Sequence, residues 1–338
     1  SHFAFGKHEV RRRLVLEGSR ACGASYLYAN LLGNEAGRVI YDGDTLIAAD
    51  GELLARGPRF SYRDRHVITA AIDVELTRTT RAWQSSFQPN VTPEPGECVT
   101  SDHPVPETQP TVRSAEPSPW ERSAHLKEEE LTRAVSLGLF DYLRKSRSRG
   151  FVISVSGGAD SSAVACLVAL MVKLAAAELG LAGLARRLEH VPALARTGSE
   201  QELVEELLTG VYQATRNSSG TTRAAARGLC EALGARFVEM DVDGIVESYT
   251  RLVAAAIGRP LTWEDDDVTL QNIQARARSP SAWMLANVRG ALLLATSNRS
   301  EAAVGYATMD GDTSGGISPI AGIDKAFLRR WLRWLEHD

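Results

Sequence analysis

The stretch FVISVSGGADSS, residues 151–162, decides the fold of this 338-residue chain. Its first part, Phe151–Val155, is a short apolar run of the kind expected for a buried parallel strand. The turn Ser156–Ser161 follows, and the apolar run Ala163–Lys173 then predicts a helix. Glycines in such a turn let backbone amides approach a ligand, while the helix N-terminus adds unpaired N–H groups and a positive dipole end. The stretch therefore predicts a strand, a phosphate-binding turn and a helix.

The side chains of this turn favour a phosphate complexed with a metal. Ser156 and Ser161 offer hydroxyl donors, but the carboxylate of Asp160 would repel a bare phosphate. Its expected role is to hold Mg²⁺ that bridges the phosphates. The turn lacks the Gly-Lys-Ser/Thr ending of a Walker A loop. An ordinary glycine-rich turn with serine caps is the alternative interpretation.

Alternating strand and helix patterns extend from this turn in both directions. A helix is predicted from Glu128, and Gly150 is expected to end it. Its apolar face comprises Leu131, Val135, Leu139, Tyr142 and Leu143. Later strands are predicted at Val211–Thr215, Arg236–Val242 and Ala291–Thr296, with helices at Thr221–Leu233 and Gly244–Ala256. Alternating βα units predict the α/β class with a doubly wound parallel sheet.

The N-terminal part has a different pattern. Residues 9–22 have helical character, and strands are predicted at Ser25–Leu31, Arg38–Tyr41 and Thr45–Ala48. Another β-rich run is Val67–Val74. This region predicts the tail of an α+β or αββα layer domain.

A change in composition separates the two regions. Eight of the thirteen prolines lie between Pro89 and Pro119, which indicates a linker or an extended arm. We therefore predict a first domain at 1–88, a linker at 89–122 and a second domain at 123–338.

Charge and cysteine content exclude several classes of protein. The formal net charge is −4 and the isoelectric point is about 6.0, so no basic surface for nucleic acid is expected. The cysteines at 22, 98, 166 and 230 are far apart and predict neither a disulfide framework nor a zinc site. We expect no apolar run of membrane-spanning length, no signal peptide and a cytoplasmic location.

The turn and three further blocks carry a family resemblance. Ser156–Ser161 resembles the SGGxDS loop of N-type ATP pyrophosphatases, which cut ATP between its α- and β-phosphates. The blocks at 212–219, 270–276 and 295–301, followed by 305–308, resemble in order and content the synthetase domain of glutamine-dependent NAD synthetases. This resemblance covers nearly all of His125–Asp338.

The resemblance implies a set of site residues. The ATP residues would be Ser154, Val155, Ser156, Gly157, Gly158, Ala159, Asp160, Ser161 and Thr296. The deamido-NAD residues would be Asn272, Glu301, Tyr306, Ala307, Thr308 and Met309. Glu301 would join Asp160 at Mg²⁺, and these two with Ser156 would be the catalytic residues. Alternatively, Thr296 and Asn298 would cap a helix that Glu301 stabilises. Many relatives have Lys-Tyr where this chain has Met309-Asp310, which changes the expected phosphate contacts.

The N-terminal part resembles the second half of the nitrilase-like glutaminase domain of the same enzymes. The resemblance lies in Tyr26–Arg38 and Tyr41–Gly43, whereas the Cys, Glu and Lys trio of that domain lies upstream of them. Cys22 lacks the acidic run that follows the family nucleophile. Ser1 and Lys7 match positions that hold the substrate glutamine. The chain is thus expected to be a fragment lacking both ends, without glutaminase activity of its own.

The resemblance implies ATP-dependent amidation of deamido-NAD to NAD through an NAD-adenylate, with ammonia from glutamine. It also implies ATP and Mg²⁺ as cofactors and a homo-oligomer, with no nucleic-acid or membrane partner. Two alternatives stay open: another ATP pyrophosphatase amidotransferase, and a fragment that binds nucleotide without turnover. A plain nitrilase-type hydrolase is disfavoured because the nucleophile is missing.

Overall fold

The computed structural model describes residues 1–84, 102 and 116–337. These residues form two compact units. The first comprises Ser1–Gly33 and Val39–Lys127, and the second comprises Asn34–Arg38 and Glu128–Asp338. Most of the predicted linker 89–122 lies outside the described residues, so the proposed domain boundaries stay a prediction.

Two helices, a three-stranded antiparallel sheet and a pair of short strands form the first unit. The elements are α1 (Lys7–Cys22), β1 (Tyr26–Ala29), β2 (Leu32–Glu35), β3 (Val39–Asp42), β4 (Thr45–Ala49), β5 (Glu52–Arg56) and α2 (Val74–Trp83). The strand order is β1-β4-β5, while β2 pairs with β3. The apolar side chains of Val15, Leu46 and Ala48 are buried together, which packs α1 on β4. Burial of these side chains stabilises the unit by removing apolar surface from water.

One strand prediction for this unit is confirmed and another is wrong. The strand expected at Ser25–Leu31 is present as the shorter β1, and β2 follows it as a strand that the sequence did not predict. The β-rich run Val67–Val74 contains no strand, and its last residue, Val74, is the first residue of α2. Asp73 caps that helix by accepting a hydrogen bond from the Leu76 amide at 2.9 Å. A cap of this kind outweighs the weak β-propensity of a few branched residues.

A four-stranded parallel sheet forms the second unit. Its strands are β6 (Phe151–Ser154), β7 (Leu208–Ala214), β8 (Arg236–Asp241) and β9 (Leu292–Leu294), in the order β8-β7-β6-β9. Its helices are α3 (Leu126–Ser146), α4 (Ala159–Leu179), α5 (Leu181–Arg187), α6 (Glu200–Leu207), α7 (Gly220–Leu233), α8 (Asp243–Ile257), α9 (Asp267–Arg289), α10 (Arg299–Val304) and α11 (Lys325–Leu335). The predicted α/β fold with a parallel sheet is confirmed.

Two expectations about helices fail here. Helix α3 ends at Ser146, four residues before Gly150, and Arg147 takes the left-handed conformation at φ 55°. Helix α4 is, by length and composition alone, long and apolar enough to cross a membrane, contrary to the sequence expectation. Half of its apolar window is buried within the protein, and a core helix of an α/β sheet passes the same test.

Helix α11 brings the end of the chain back to the phosphate-binding turn. The side chains of Leu328 and Trp331 are fully buried, and the Trp331 indole donates to Thr132 Oγ1 at 2.9 Å. Arg330 Nε donates to Glu128 Oε1 at 2.7 Å. These contacts fix α11 on α3 and so determine where its first residue, Lys325, lies.

Candidate functional site

The turn after β6 is shorter than the sequence predicts, because α4 begins at Ala159 and not at Ala163, so that Ala159–Ser161 form the first turn of the helix. Gly158 is the N-cap of α4, so the free amides of the first helical turn lie at Ala159–Ser161. The hydroxyls of Ser156 and Ser161 lie 3.3 Å apart, and the Gly158 amide donates to Ser156 Oγ at 3.3 Å. These bonds hold the turn in a shape that leaves its remaining amides available to an anion.

Gly157 is required by the backbone of this turn. Its φ is +76°, in the left-handed region that side chains disfavour. A Cβ at this position would lie 2.7 Å from the carbonyl oxygen of Thr222, in α7. Only glycine fits here without strain, because the turn and α7 approach so closely.

Asp160 and Glu301 face each other across a lysine ammonium. Lys325 Nζ donates to Asp160 Oδ2 at 2.8 Å and to Glu301 Oε1 at 2.9 Å. Asn298 Nδ2 donates to the other oxygen of Asp160 at 3.0 Å. The hydrogen bond to Asp160, followed by that to Glu301, raises the pKa of Lys325, which therefore stays charged. A cation thus already bridges the two carboxylates.

The alternative structural role of Asn298 and Glu301 is also present. Asn298 caps α10, because its Oδ1 accepts from the Glu301 amide at 3.1 Å. Glu301 Oε2 in return accepts from the Asn298 amide at 3.4 Å, which completes a capping box. The carboxylate of Glu301 therefore stabilises its own helix and contacts Lys325 at the same time.

A cavity of about 410 Å³ opens at the carboxyl ends of β6, β7 and β9. This edge of a parallel sheet is where α/β proteins bind ligands. Ser154, Val155, Ser156 and Thr296 line it, whereas the other predicted ATP residues, Gly157–Ser161, lie on the turn and not in its wall. Neutral polar groups from the end of β7 and the start of α7 also line it, namely Tyr212, Gln213, Thr215, Asn217, Ser218, Ser219 and Thr222.

Helix α9 and the segment after α10 form the remaining wall. Gln274, Ala275 and Arg278 come from α9, while Gly311 and Asp312 come from the later segment. Two bonds tie these elements together. Thr308 Oγ1 donates to Asn272 Oδ1 at 3.1 Å, and Arg276 Nε donates to the Met309 carbonyl at 3.0 Å.

The predicted deamido-NAD residues lie beside this cavity and do not line it. Asn272 holds Thr308, whereas Tyr306 and Met309 have most of their surface exposed, at 78% and 69%. Ala307 is half-buried. Of the six residues, Asn272 and Thr308 are joined by a hydrogen bond, and the two large side chains Tyr306 and Met309 are exposed.

The two residues that are predicted to hold the substrate glutamine lie in the first unit, near a buried ionic cluster. Ser1 Oγ accepts from Arg11 Nη1 at 3.4 Å, and Lys7 begins α1. Arg11 forms ion pairs with Asp42 and, at 3.2 Å, with Asp44. Whether Ser1 and Lys7 hold glutamine stays a prediction.

No described cysteine has the environment of an activated nucleophile. Cys22 is exposed at the end of α1. Burial raises the pKa of Cys166 and of Cys230 to about 11, so both thiols stay protonated. Cys98 lies outside the described residues.

Sequence reasoning missed two cationic residues of the site. Lys325 follows Asp160 by 165 positions, and no local pattern links them. In the sequence, Arg278 is the second arginine of Ala275-Arg276-Ala277-Arg278, and nothing in that run indicates that it lies beside the cavity.

The chain is similar to known proteins in sequence and in fold. The chain is 34% identical to the glutamine-dependent NAD(+) synthetase of Oryza sativa subsp. indica over 98% of its length and 48% of the relative. A crystal structure of a glutamine-dependent NAD(+) synthetase from Cytophaga hutchinsonii is 45% identical, with a TM-score of 0.80 over 100% of this chain and 51% of that one.

A glutamine-dependent NAD+ synthetase from Acinetobacter baumannii, in complex with adenosine diphosphate, shares the fold at a TM-score of 0.70 and 20% identity, over 99% of this chain and 49% of that one. The chain thus spans about half the length of the relatives it matches. The family model for NAD synthase matches residues 131–337, which is more than half of the chain, and the chain therefore belongs to the NAD synthase family.

Proposed function

We propose that this chain carries the synthetase site for ATP-dependent amidation of deamido-NAD to NAD. The carboxylate of deamido-NAD attacks the α-phosphorus of ATP, pyrophosphate leaves, and an NAD-adenylate forms. Ammonia then displaces AMP and forms the amide. The supporting observation is the turn Ser156–Ser161, with its left-handed Gly157 and free helix amides, at the mouth of a cavity above a parallel sheet.

ATP is proposed to bind with its pyrophosphate at this turn and its nucleoside part in the cavity. The relative that is described in complex with adenosine diphosphate shares the fold. The amides of Ala159–Ser161 and the hydroxyls of Ser156 and Ser161 would receive phosphate oxygens. Thr296 and Ser154 line the cavity beside them.

Asp160 and Glu301 are proposed to hold Mg²⁺. The two carboxylates already converge on one cation, the Lys325 ammonium, so a metal could occupy the same space. Proteins bind Mg²⁺ through one or two carboxylates together with substrate phosphates, so two protein ligands suffice. When bound, Mg²⁺ would neutralise charge on the leaving pyrophosphate.

The surface from Asn272 to Met309 is proposed to receive deamido-NAD. Met309 gives no charge to a phosphate, but the Arg276 guanidinium lies beside its carbonyl. The change from Lys-Tyr to Met309-Asp310 is therefore expected to alter the phosphate contacts of this segment. The substrates ATP and deamido-NAD, with ammonia or glutamine as nitrogen donor, and the cytoplasmic location all remain proposals.

The decisive experiment supplies ammonium chloride in place of glutamine. With ATP, Mg²⁺ and deamido-NAD, we expect AMP and NAD to form in equal amounts. Glutamine alone is expected to give no product, because no described cysteine is activated. The assay should be read by chromatography of AMP and NAD.

The control is the same mixture without deamido-NAD, in which AMP should not accumulate. Adenylation of another acid in place of deamido-NAD would favour a different ATP pyrophosphatase amidotransferase. ATP binding without any turnover would contradict the proposed reaction and leave a nucleotide-binding fragment.

A homo-oligomer is proposed from the exposed face of α8. Helix α8 has no buried residue, and Ile245, Tyr249, Leu252 and Val253 are exposed along one side of it. An apolar face of this kind marks an association surface, and the occupant we propose is a second copy of the chain.

Leu252→Glu is expected to weaken self-association at least about tenfold, because it buries an unpaired carboxylate in an apolar interface. Sedimentation velocity over a dilution series measures this. Arg251→Glu, on the polar side of the same helix, should leave the mass unchanged. Equal sedimentation of both variants and the unchanged chain would exclude this face as the interface.

A further inference from the structure

Arg278 is the positively charged residue among those that line the described cavity. It lies on α9 and lines the cavity together with Ser156 and Thr296. Its two chain neighbours, Ala277 and Ser279, are buried. Arg278 itself is half-buried, so its side chain is partly withdrawn from water at the cavity wall.

This guanidinium has no ion-pair partner within the part of the chain that the structure describes. Burial is the main cause of its lowered pKa, and the interaction with Tyr212 offsets that effect only in part. A cation held in this way destabilises the free protein. Such an arrangement is typical of a site in which a ligand supplies the missing negative charge.

The protein holds Arg278 in place in spite of this cost. Gln213 Nε2, from the end of β7, donates to the Arg278 carbonyl at 2.9 Å. The Ser279 hydroxyl bonds to the Ser314 hydroxyl. With Ala282 also buried, the backbone of α9 is fixed on the sheet at the position of Arg278.

The charges of the other residues in the cavity wall indicate which kind of ligand group would bind Arg278. Asp312 is the carboxylate of its wall, and it accepts from the Thr308 amide at 2.8 Å instead of pairing with Arg278. The other described wall residues are neutral. A phosphate or carboxylate group of a bound molecule would therefore supply the negative charge that Arg278 lacks in the cavity. Arginine forms strong, charge-assisted hydrogen bonds with such groups.

We propose that the Arg278 guanidinium binds the α-phosphate of the adenine nucleotide, an inference that rests on the proposed ATP site. The residues of the turn, Gly157–Ser161, lie outside the cavity wall, so a pyrophosphate bound there stays outside the cavity. The nucleoside enters the cavity, and the α-phosphate links the two parts. It is the phosphate nearest to the cavity and the one that stays with AMP.

The test compares binding of ATP, AMP and adenosine by isothermal titration. Arg278→Met should weaken the binding of ATP and of AMP to a similar degree, by about tenfold to a hundredfold. This is the range expected for the loss of a hydrogen bond to a charged group. Adenosine, which has no phosphate, should bind as before. Arg278→Lys should restore part of the affinity. Arg289→Met is the matched control, because Arg289 is a half-buried arginine of α9 outside the cavity.

Thermal unfolding without ligand gives a second readout. Arg278→Met should unfold at the same temperature as the unchanged chain or higher, because an uncompensated charge is removed. A lower unfolding temperature with equal loss of all three ligands would show a structural role and overturn the proposal.

If Arg278→Met bound ATP more weakly but AMP as before, the contact would be to the outer phosphates. If the variant lost affinity for deamido-NAD alone, the contact would be to the dinucleotide. Either result overturns the assignment. Equal binding by the variant and the unchanged chain refutes this inference alone. If the unchanged chain binds neither ATP nor AMP, the proposed ATP site itself fails and the inference falls with it.

Discussion

Asp160→Ala is expected to abolish Mg²⁺-dependent adenylation while the protein stays folded. The carboxylate is one of two that converge on Lys325, and it lies in the first turn of α4, beside the proposed phosphate site. Its removal leaves Glu301 as the one proposed protein ligand of the metal. We expect turnover to fall at least about a hundredfold, which is the usual effect of removing one group that stabilises charge in a catalytic site.

The fold should survive because the side chain contributes few contacts to it, namely the hydrogen bonds from Lys325 and Asn298 and an interaction with its own helix. Asp160 supports the positive end of the α4 dipole, an interaction worth about 0.3–1 kcal/mol. Asp267→Ala removes an acidic residue from the first turn of α9 and is the matched control, expected to keep full turnover. Rates of AMP release and thermal unfolding should be measured for both variants. Full activity in Asp160→Ala would contradict the metal role.

The phosphate-binding turn and the parallel sheet could be predicted because their signals are local. An apolar run, two glycines and four serines lie within residues 151–162, and each affects residues close to it in the sequence. Strand β6 falls inside the predicted run Phe151–Val155. Backbone amides and a helix terminus need no distant partner to form an anion site.

Features that depend on tertiary contacts could not be predicted in the same way. Val67–Val74 is rich in β-branched residues, yet strand formation depends on a partner strand, and here Asp73 caps a helix instead. Lys325 reaches the turn only because Trp331 is buried against α3. That Arg278 has no ion-pair partner among the described residues depends on the whole cavity wall, and no local sequence pattern predicts it.

Lys325→Met is expected to increase the affinity of the nucleotide-free protein for a divalent cation. The ammonium lies 2.8 Å from Asp160 Oδ2 and 2.9 Å from Glu301 Oε1, where it bridges the two proposed metal ligands. Mg²⁺ binds oxygen at about 2.0–2.1 Å, so a metal between these carboxylates and the ammonium exclude each other. We therefore infer that Lys325 must leave the carboxylates before they can share a metal.

Paramagnetic resonance of added Mn²⁺ measures this without any turnover. Two unit charges 4 Å apart interact by about 4 kcal/mol at an effective dielectric constant of 20 and by about 1 kcal/mol in water. Since Lys325 is partly exposed, the lower end applies, and we expect Mn²⁺ affinity to rise about fivefold to tenfold. Lys325→Arg keeps the charge and should keep the affinity low. If Lys325→Met binds Mn²⁺ no more tightly than Lys325→Arg, the ammonium does not compete with the metal, and the cation that Asp160 and Glu301 share is the lysine itself.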